Sequence, residues 1–292
     1  MKIDEVYKNQ ALYFSPTELQ KKYGLDLIFT TAFKGRDREN PDDFNLSFND
    51  DYEPSKVREN RKKLLDLSEI KTTNPIIFLK QTHSSSVVII DKNFLYDFKE
   101  LYKEIDKPDS VNADICESGR IKKFIPKGDA LITAIPDIPI MVLGADCNII
   151  LICDTDLKVI SAVHAGWRGV LHDILGKTLD TMIEKFDCRQ KNLFLFFGPS
   201  IRKCCFETDH DIYMDFKARF PEVFCIDSGI LNGSRYFVDL TNILRYQAVR
   251  KGIDDKNICI IEECTCCSRR NLFFSYRRDK KAGRQAALAY IS

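Results

Sequence analysis

The chain has 292 residues, enough for one large domain or two small ones with a sizeable buried core. Its 44 Lys and Arg nearly cancel its 43 Asp and Glu, and a net charge of +1 gives no long-range pull toward nucleic acid or an anionic membrane. Hydrophobic residues at 44% and charged residues at 30% are ordinary for a soluble protein; the start, MKIDEVYKNQALYF, lacks a signal-peptide core and no apolar run reaches membrane-span length, so a cytoplasmic protein is expected.

In chain order, residues 25–33 (LDLIFTTAF) read as a strand and residues 54–67 as a helix with Pro54 in its first turn. Residues 75–79 and 87–90 are short β-rich runs on either side of QTHSSS. Residues 103–127 are polar and mixed in charge, as in a long surface connection. Four closely spaced strands are expected at 130–134, 138–143, 149–153 and 159–163, several apolar throughout, as in strands covered on both faces. A long helix is expected over 170–186, with Leu171, Ile174, Leu175, Leu179, Met182, Ile183 and Phe186 as its apolar stripe. Residues 193–197 (LFLFF) form a further buried strand stopped by Gly198-Pro199. Residues 209–220, 240–251 and 283–291 read as helices, and 236–239 and 258–261 as strands. These elements predict an α/β or α+β fold, one large mixed β-sheet flanked by helices. No Gly-, Pro- or Ser-rich linker divides the chain, so one domain over residues 1–292 is expected, with 1–24 as an N-terminal extension.

Eleven cysteines are an odd number in a long chain with no export signal, which argues against a disulfide framework. Most are expected to pack as small apolar residues. Histidines number only four: His83, His164, His172 and His210.

Three polar sites follow apolar strands: Lys80-Gln81-Thr82-His83-Ser84, Gly144-Ala145-Asp146-Cys147, and His164-Ala165-Gly166-Trp167-Arg168-Gly169. Strand ends are where open sheets place ligands. Two imidazoles and a thiolate make a sensible zinc set, open at a fourth position, although spacings of 64 and 17 residues match no local zinc motif. A His or Cys beside a strand is more often a satisfied core residue. The turn at 164–169 precedes a helix whose first N–H groups favour an anion, and a plain glycine-rich turn accounts for it equally well. Asp129, just before ALIT, is placed either to orient a metal-bound histidine or to cap a turn. Cys264-Thr265-Cys266-Cys267 looks metal-like but lacks a second CxxC partner and reads as a packed loop, and Cys204 and Cys205 read as packing residues.

KQTH, GDALIT, ADC, VHAGWRG, GPSIRKCCFE, VDL and FFSYRRDKKAGRQA occur in the order seen in YfiH-type proteins, and FNLSFNDDYEPSKVRENRKKL resembles their N-terminal segment. The chain thus resembles, over residues 25–292, the YfiH family, also called laccase-domain, polyphenol-oxidase-like or peptidoglycan-editing-factor proteins. The resemblance implies the YfiH-like fold, shared with cytotoxic necrotising factors, and a metal held by His83, Cys147 and His164. Zinc is the expected ion and copper(II) the second choice. Five positions depart from the pattern: Ser84 stands where Gly is usual, Ala32 and Lys34 where Arg and Gly are usual, and Arg202 and Lys203 where Gly and Pro are usual.

The resemblance implies phosphorolysis of adenosine, inosine and methylthioadenosine, with adenosine deamination alongside, so purine nucleosides and phosphate are the expected partners. Arg168 and Arg278 are the candidates for an anion subsite, and Trp167 or Phe273 for stacking on a base. A true multicopper oxidase is not expected, because four histidines cannot furnish several imidazole-rich copper shells. The alternative is a hydrolase of peptidoglycan precursors with Cys147 as nucleophile and His164 as its base. A monomer or weak homodimer, with neither nucleic acid nor membrane as partner, is expected.

Overall fold

Central strands that are apolar on both faces must be covered on both, and the computed structural model shows by what. It describes residues 1–8, 11–32, 44–48, 53–97, 125–224, 229–232, 235–268 and 271–292. The first sheet runs in the order β1 (Asp4–Lys8), β2 (Ala11–Ser15), β3 (Leu25–Thr30), β15 (Gln285–Ile291), β7 (Ile140–Gly144), β4 (Ile77–Phe78). The second runs β14 (Ile258–Ile260), β10 (Leu193–Phe197), β8 (Asn148–Asp154), β9 (Val159–Ala165), β6 (Ala130–Thr133), β5 (Val87–Ile89). Each is mixed: β4–β7, β5–β6 and β10–β14 pair in parallel, and the remaining neighbours are antiparallel. A small third sheet joins β11 (Glu207–Thr208), β13 (Arg235–Val238) and β12 (Gly229–Asn232). The large mixed sheet expected from the sequence is thus two sheets, packed face to face.

Alternation along each strand assigns side chains to layers. Leu27, Phe29, Val142 and Ala287 from the first sheet meet Leu131, Leu151, Ala162 and Phe196 from the second in one buried core. Ile150, Ile152, Val163 and Phe197 point the other way, under helices α4 (Ile174–Phe186) and α7 (Leu240–Arg250). Ile28, Met141 and Leu288 face Leu64 and Leu67 of α2 (Pro54–Leu67). The result is a four-layer arrangement, helix–sheet–sheet–helix. Residues 4–23, read as an extension, form the edge strands β1 and β2 and the short helix α1 (Thr17–Tyr23).

Two expectations are corrected. Residues 283–291 were expected to be helical because Ala-rich RQAALAYI has high helix propensity. They form β15, a central strand fully buried between β3 and β7. Ala287 and Ala289 face one core and Ala286 and Leu288 the other, and burial on both faces overrides a weak local preference. The helix expected over 170–186 is two helices, α3 (Trp167–Leu171) and α4. Asp173, with φ 57°, breaks it and caps α4 by accepting from the Gly176 N–H at 3.2 Å. Helices α5 (His210–Arg219) and α7 lie where expected, and a four-residue helix α6 (Pro221–Phe224) follows α5. The connection at 103–127 lies, up to residue 124, outside the described residues. No described helix is long and apolar enough to cross a membrane.

Ala287 and Ala289 of β15 are fully buried in the core between the two sheets. Replacing Ala287 with Leu is expected to destabilise the protein by about 1–3 kcal/mol through overpacking, read as a lower urea midpoint. A change within ±0.5 kcal/mol would show that the inter-sheet layer has room to spare.

Candidate functional site

Two chain segments cross from the first sheet to the second at the same end of the sandwich. The loop from β4 to β5 carries Gln81, Thr82, His83 and Ser84, and the turn from β7 to β8 carries Ala145, Asp146 and Cys147. His164 sits near the end of β9, opposite Ile149 of β8. The potential ligand atoms of His83, Cys147 and His164 all lie within 4.8 Å of one another. His83 Nε2 is 3.9 Å from Cys147 Sγ, and the two imidazole rings meet edge to face at 4.9 Å. His164 is buried, Cys147 half-buried and His83 exposed, so the cluster has a closed back and an open front.

Asp129 builds this arrangement. Its buried carboxylate accepts from the backbone N–H groups of Thr82 (3.3 Å), His83 (3.0 Å) and Ser84 (2.7 Å), and from the hydroxyls of Thr82 (3.2 Å) and Ser84 (2.6 Å). These bonds close the tight turn in which His83 takes a left-handed conformation, φ 57°. The same carboxylate accepts from His164 Nδ1 at 2.9 Å, which leaves the lone pair of the neutral imidazole on Nε2. Ser84, a departure from the family pattern, thus contributes a hydroxyl to the turn.

Cys147 is presented by a second constrained turn. Asp146 has φ 95° and is held from three sides: Thr265 Oγ1 donates to its Oδ1 at 2.6 Å, the Arg277 N–H to its Oδ2 at 2.6 Å, and the Ile201 N–H to its carbonyl at 2.8 Å. Gln81 exchanges two 2.8 Å bonds with the backbone of Leu143 and docks the His83 loop on β7. Gly166 is the third element. A Cβ there would lie 2.7 Å from the His83 ring and 3.2 Å from Cys147 Sγ, so only glycine admits this approach.

The charges are mutually dependent. Burial pushes the Cys147 thiol up, but the facing imidazoles of His164 and His83 outweigh it and bring it down to about 6. Burial opposes the charge on His164, but the Cys147 thiolate and Asp129 raise it to about 9. Asp129 is itself desolvated, yet its bonds to His164 and Ser84 hold it well below the usual carboxylate range.

The cluster lies at the wall of a cavity of ≈ 700 Å³ whose lining includes Phe48, Phe78, Tyr276, Lys80, Arg61 and Arg284. The Arg61 guanidinium stacks 4.4 Å from the Phe48 ring and 4.2 Å from the Phe78 ring, and donates to the Leu46 carbonyl at 3.0 and 2.8 Å. The arginines and rings expected from the sequence stand elsewhere. Arg168 is exposed and lies 4.3 Å over the Trp167 ring, outside the cavity lining. Arg278 spends its guanidinium on the carbonyls of Thr265 (2.9 Å), Cys266 (3.1 Å) and Phe273 (2.6 Å). Phe273 is fully buried in the inter-sheet core. Arg61, Arg284, Phe48 and Tyr276 were missed because nothing local marks them; only the fold brings residues from 48 to 284 to one wall.

Fold and site define a four-layer α/β protein with a His–Cys–His centre at the seam of its two sheets. A family model described as multi-copper polyphenol oxidoreductase laccase matches residues 26–292, and the chain belongs to that family. It is 28% identical, over 97% of both chains, to a purine nucleoside phosphorylase of Clostridium acetobutylicum. It is 25% identical to the purine nucleoside phosphorylase YfiH of Escherichia coli over 86% of this chain and 87% of that one. Among solved structures it shares its fold with the Bacillus licheniformis hypothetical protein YfiH (TM-score 0.77, 21% identity, 99% of both chains). It likewise shares it with YlmD from Geobacillus stearothermophilus (TM-score 0.71, 21% identity, 92% of both).

In metal-stripped protein, the rate of Cys147 alkylation by iodoacetamide, followed by peptide mass spectrometry, is expected to rise through pH 6 and level off by about pH 7, since the lowered pKa makes thiolate dominant there. A rate still climbing through pH 9 would show that the imidazoles do not stabilise the thiolate. Any metal ion held by His83, Cys147 and His164 should be bound about 10–100-fold more weakly in Asp129→Asn, read by chelator competition, because the change loosens both histidines.

Proposed function

We propose that the protein is a zinc-dependent purine nucleoside phosphorylase acting on adenosine, inosine and S-methyl-5′-thioadenosine, with adenosine deamination as an accompanying activity. One observation carries the reading: an open set of two imidazoles and a thiolate faces a cavity that combines aromatic walls with two arginines. The names of the relatives point the same way.

The donor set suits zinc, with borderline nitrogen and soft sulfur ligands and a carboxylate behind His164 that fixes its tautomer. His83, Cys147 and His164 would hold the ion, and when bound it would supply a Lewis acid with one open position. The other chemistry is assigned to the chain. Phe48, Phe78 and Tyr276 offer flat apolar surface to a purine, and Arg61 and Arg284 offer charge to phosphate. Arg61 is held in place by its two rings and the Leu46 carbonyl, so little order is lost when an anion docks. In phosphorolysis a phosphate oxygen bonds to ribose C1′ as the C1′–N9 bond breaks. The base leaves with the electron pair and takes up a proton, giving pentose 1-phosphate and free purine. A phosphate oriented by fixed guanidinium groups lowers the entropic part of that barrier.

The reading is tested by hypoxanthine release from inosine, which should require inorganic phosphate and stop on replacing His83, Cys147 or His164 with Ala. Arg61→Ala should raise the KM for phosphate by about 10–100-fold, the scale of one lost charge-assisted hydrogen bond. Release that is independent of phosphate, or absent from zinc-loaded protein, would refute the phosphorylase.

A second reading is favoured by the Cys147–His164 charge pair: a Cys–His hydrolase of amide-linked peptidoglycan precursors. Timed iodoacetamide inactivation separates the two. A zinc-bound thiolate should be masked until a chelator is added, whereas a free nucleophile should react quickly with or without one.

A further inference from the structure

Four cysteines outside the cavity come together from two distant turns. Cys204 and Cys205 follow β10, and Cys264 and Cys267 follow β14. Their Sγ atoms all lie within 4.8 Å of one another, with Cys204 and Cys267 3.5 Å apart. All four are free thiols, and a disulfide would need an S–S distance of about 2.05 Å. Four thiolates around a tetrahedral zinc, each about 2.3 Å from the metal, stand about 3.8 Å apart. The cluster brackets that spacing.

The two turns are built to hold it. A parallel bridge links Ser200 to Cys264, and the Thr265 N–H donates to the Ser200 carbonyl at 3.0 Å. Cys264 and Cys267 have C-x-x-C spacing, and the Ser268 N–H closes that turn on the Cys264 carbonyl at 3.0 Å. The Cys205 and Phe206 N–H groups both donate to the Arg202 carbonyl at 2.9 Å, folding the first turn tightly. Backbone N–H groups of Arg202, Cys266 and Cys267 bear on the Cys264 sulfur and favour its thiolate. The half-buried Arg202 side chain lies close enough to Cys204 and Cys264 to stabilise negative sulfur. Burial and neighbouring sulfurs push Cys204 up to about 12 and Cys205 further. Sulfurs crowded this closely do not ionise together unless a cation lies among them.

We propose that Cys204, Cys205, Cys264 and Cys267 bind one zinc ion as a closed four-thiolate structural site. Binding releases the thiol protons to solvent, and the net charge of −2 on the complex is offset by Arg202 and the N–H groups on Cys264. The ion ties together the turns that seat Asp146, through the Ile201 N–H and Thr265 Oγ1, so it stiffens the support of Cys147 from behind. The inference stands apart from the nucleoside reading, since it uses none of the cavity residues.

The test uses the full chain, purified under reducing conditions, loaded with zinc sulfate and desalted. A His83→Ala/Cys147→Ala/His164→Ala variant, stripped of the other donors, should retain about one zinc per chain. Zinc-edge X-ray absorption should show an all-sulfur shell at about 2.3 Å. Adding Cys204→Ser and Cys267→Ser, both at exposed positions, should remove that zinc. Should the triple variant fail to fold, the same two serine substitutions in the otherwise unchanged chain should lower zinc content by about one equivalent and reduce Tm. No retained zinc, a shell containing nitrogen or oxygen, or a zinc content indifferent to the serines would each overturn the proposal.

Discussion

The centre depends on a single buried carboxylate. Asp129 is desolvated at the start of β6, and such a charge is tolerated only when its lone pairs are filled. They are filled by the 82–84 turn and by His164, so the residue that is expensive to bury is also the one that positions both imidazoles. Removing one partner from a buried charged network costs on the order of 3–5 kcal/mol. The turn therefore has one strongly preferred geometry, and His83 holds its left-handed backbone without glycine.

The sandwich explains where that carboxylate acts. Two sheets packed face to face need chain segments that cross between them, and crossings fall at the ends of the sandwich. The β4–β5 and β7–β8 crossings share an end, and His83 and Cys147 ride on them. A site at such a seam is opened on one side by the sheet edge and closed on the other by the core.

Much of this was legible in the sequence, for identifiable reasons. Strands at 149–153 and 159–163 announce themselves because burial on both faces demands continuous apolar runs, and His83, Cys147 and His164 stand in short motifs at the ends of strands. Asp129 was also visible as one of two alternatives, orienting a histidine or capping a turn; it does both. What could not be read is whatever depends on distance in space. Gln285–Ile291 has the local preferences of a helix and becomes a strand only because β3 and β7 leave a gap that small side chains fit. The cavity arginines are scattered between positions 61 and 284, and Cys204–Cys205 finds its C-x-x-C partner nearly sixty residues later.

The FFSYRR segment shows how a motif can serve a site from outside it. Its adjacent cations suggest an anion subsite, but its residues serve different tasks. Tyr276 lines the cavity, Arg278 clamps the carbonyls of Thr265, Cys266 and Phe273, and the Arg277 N–H bonds to Asp146. Asp146 needs that bond: a non-glycine residue at φ 95° costs about 1–3 kcal/mol. Bonds from Arg277, Thr265 and Ile201, at about 1 kcal/mol each, are enough to offset the strain. Cys147 is therefore aimed by a turn stable only while three remote segments remain packed, and the arginines contribute through the backbone they order.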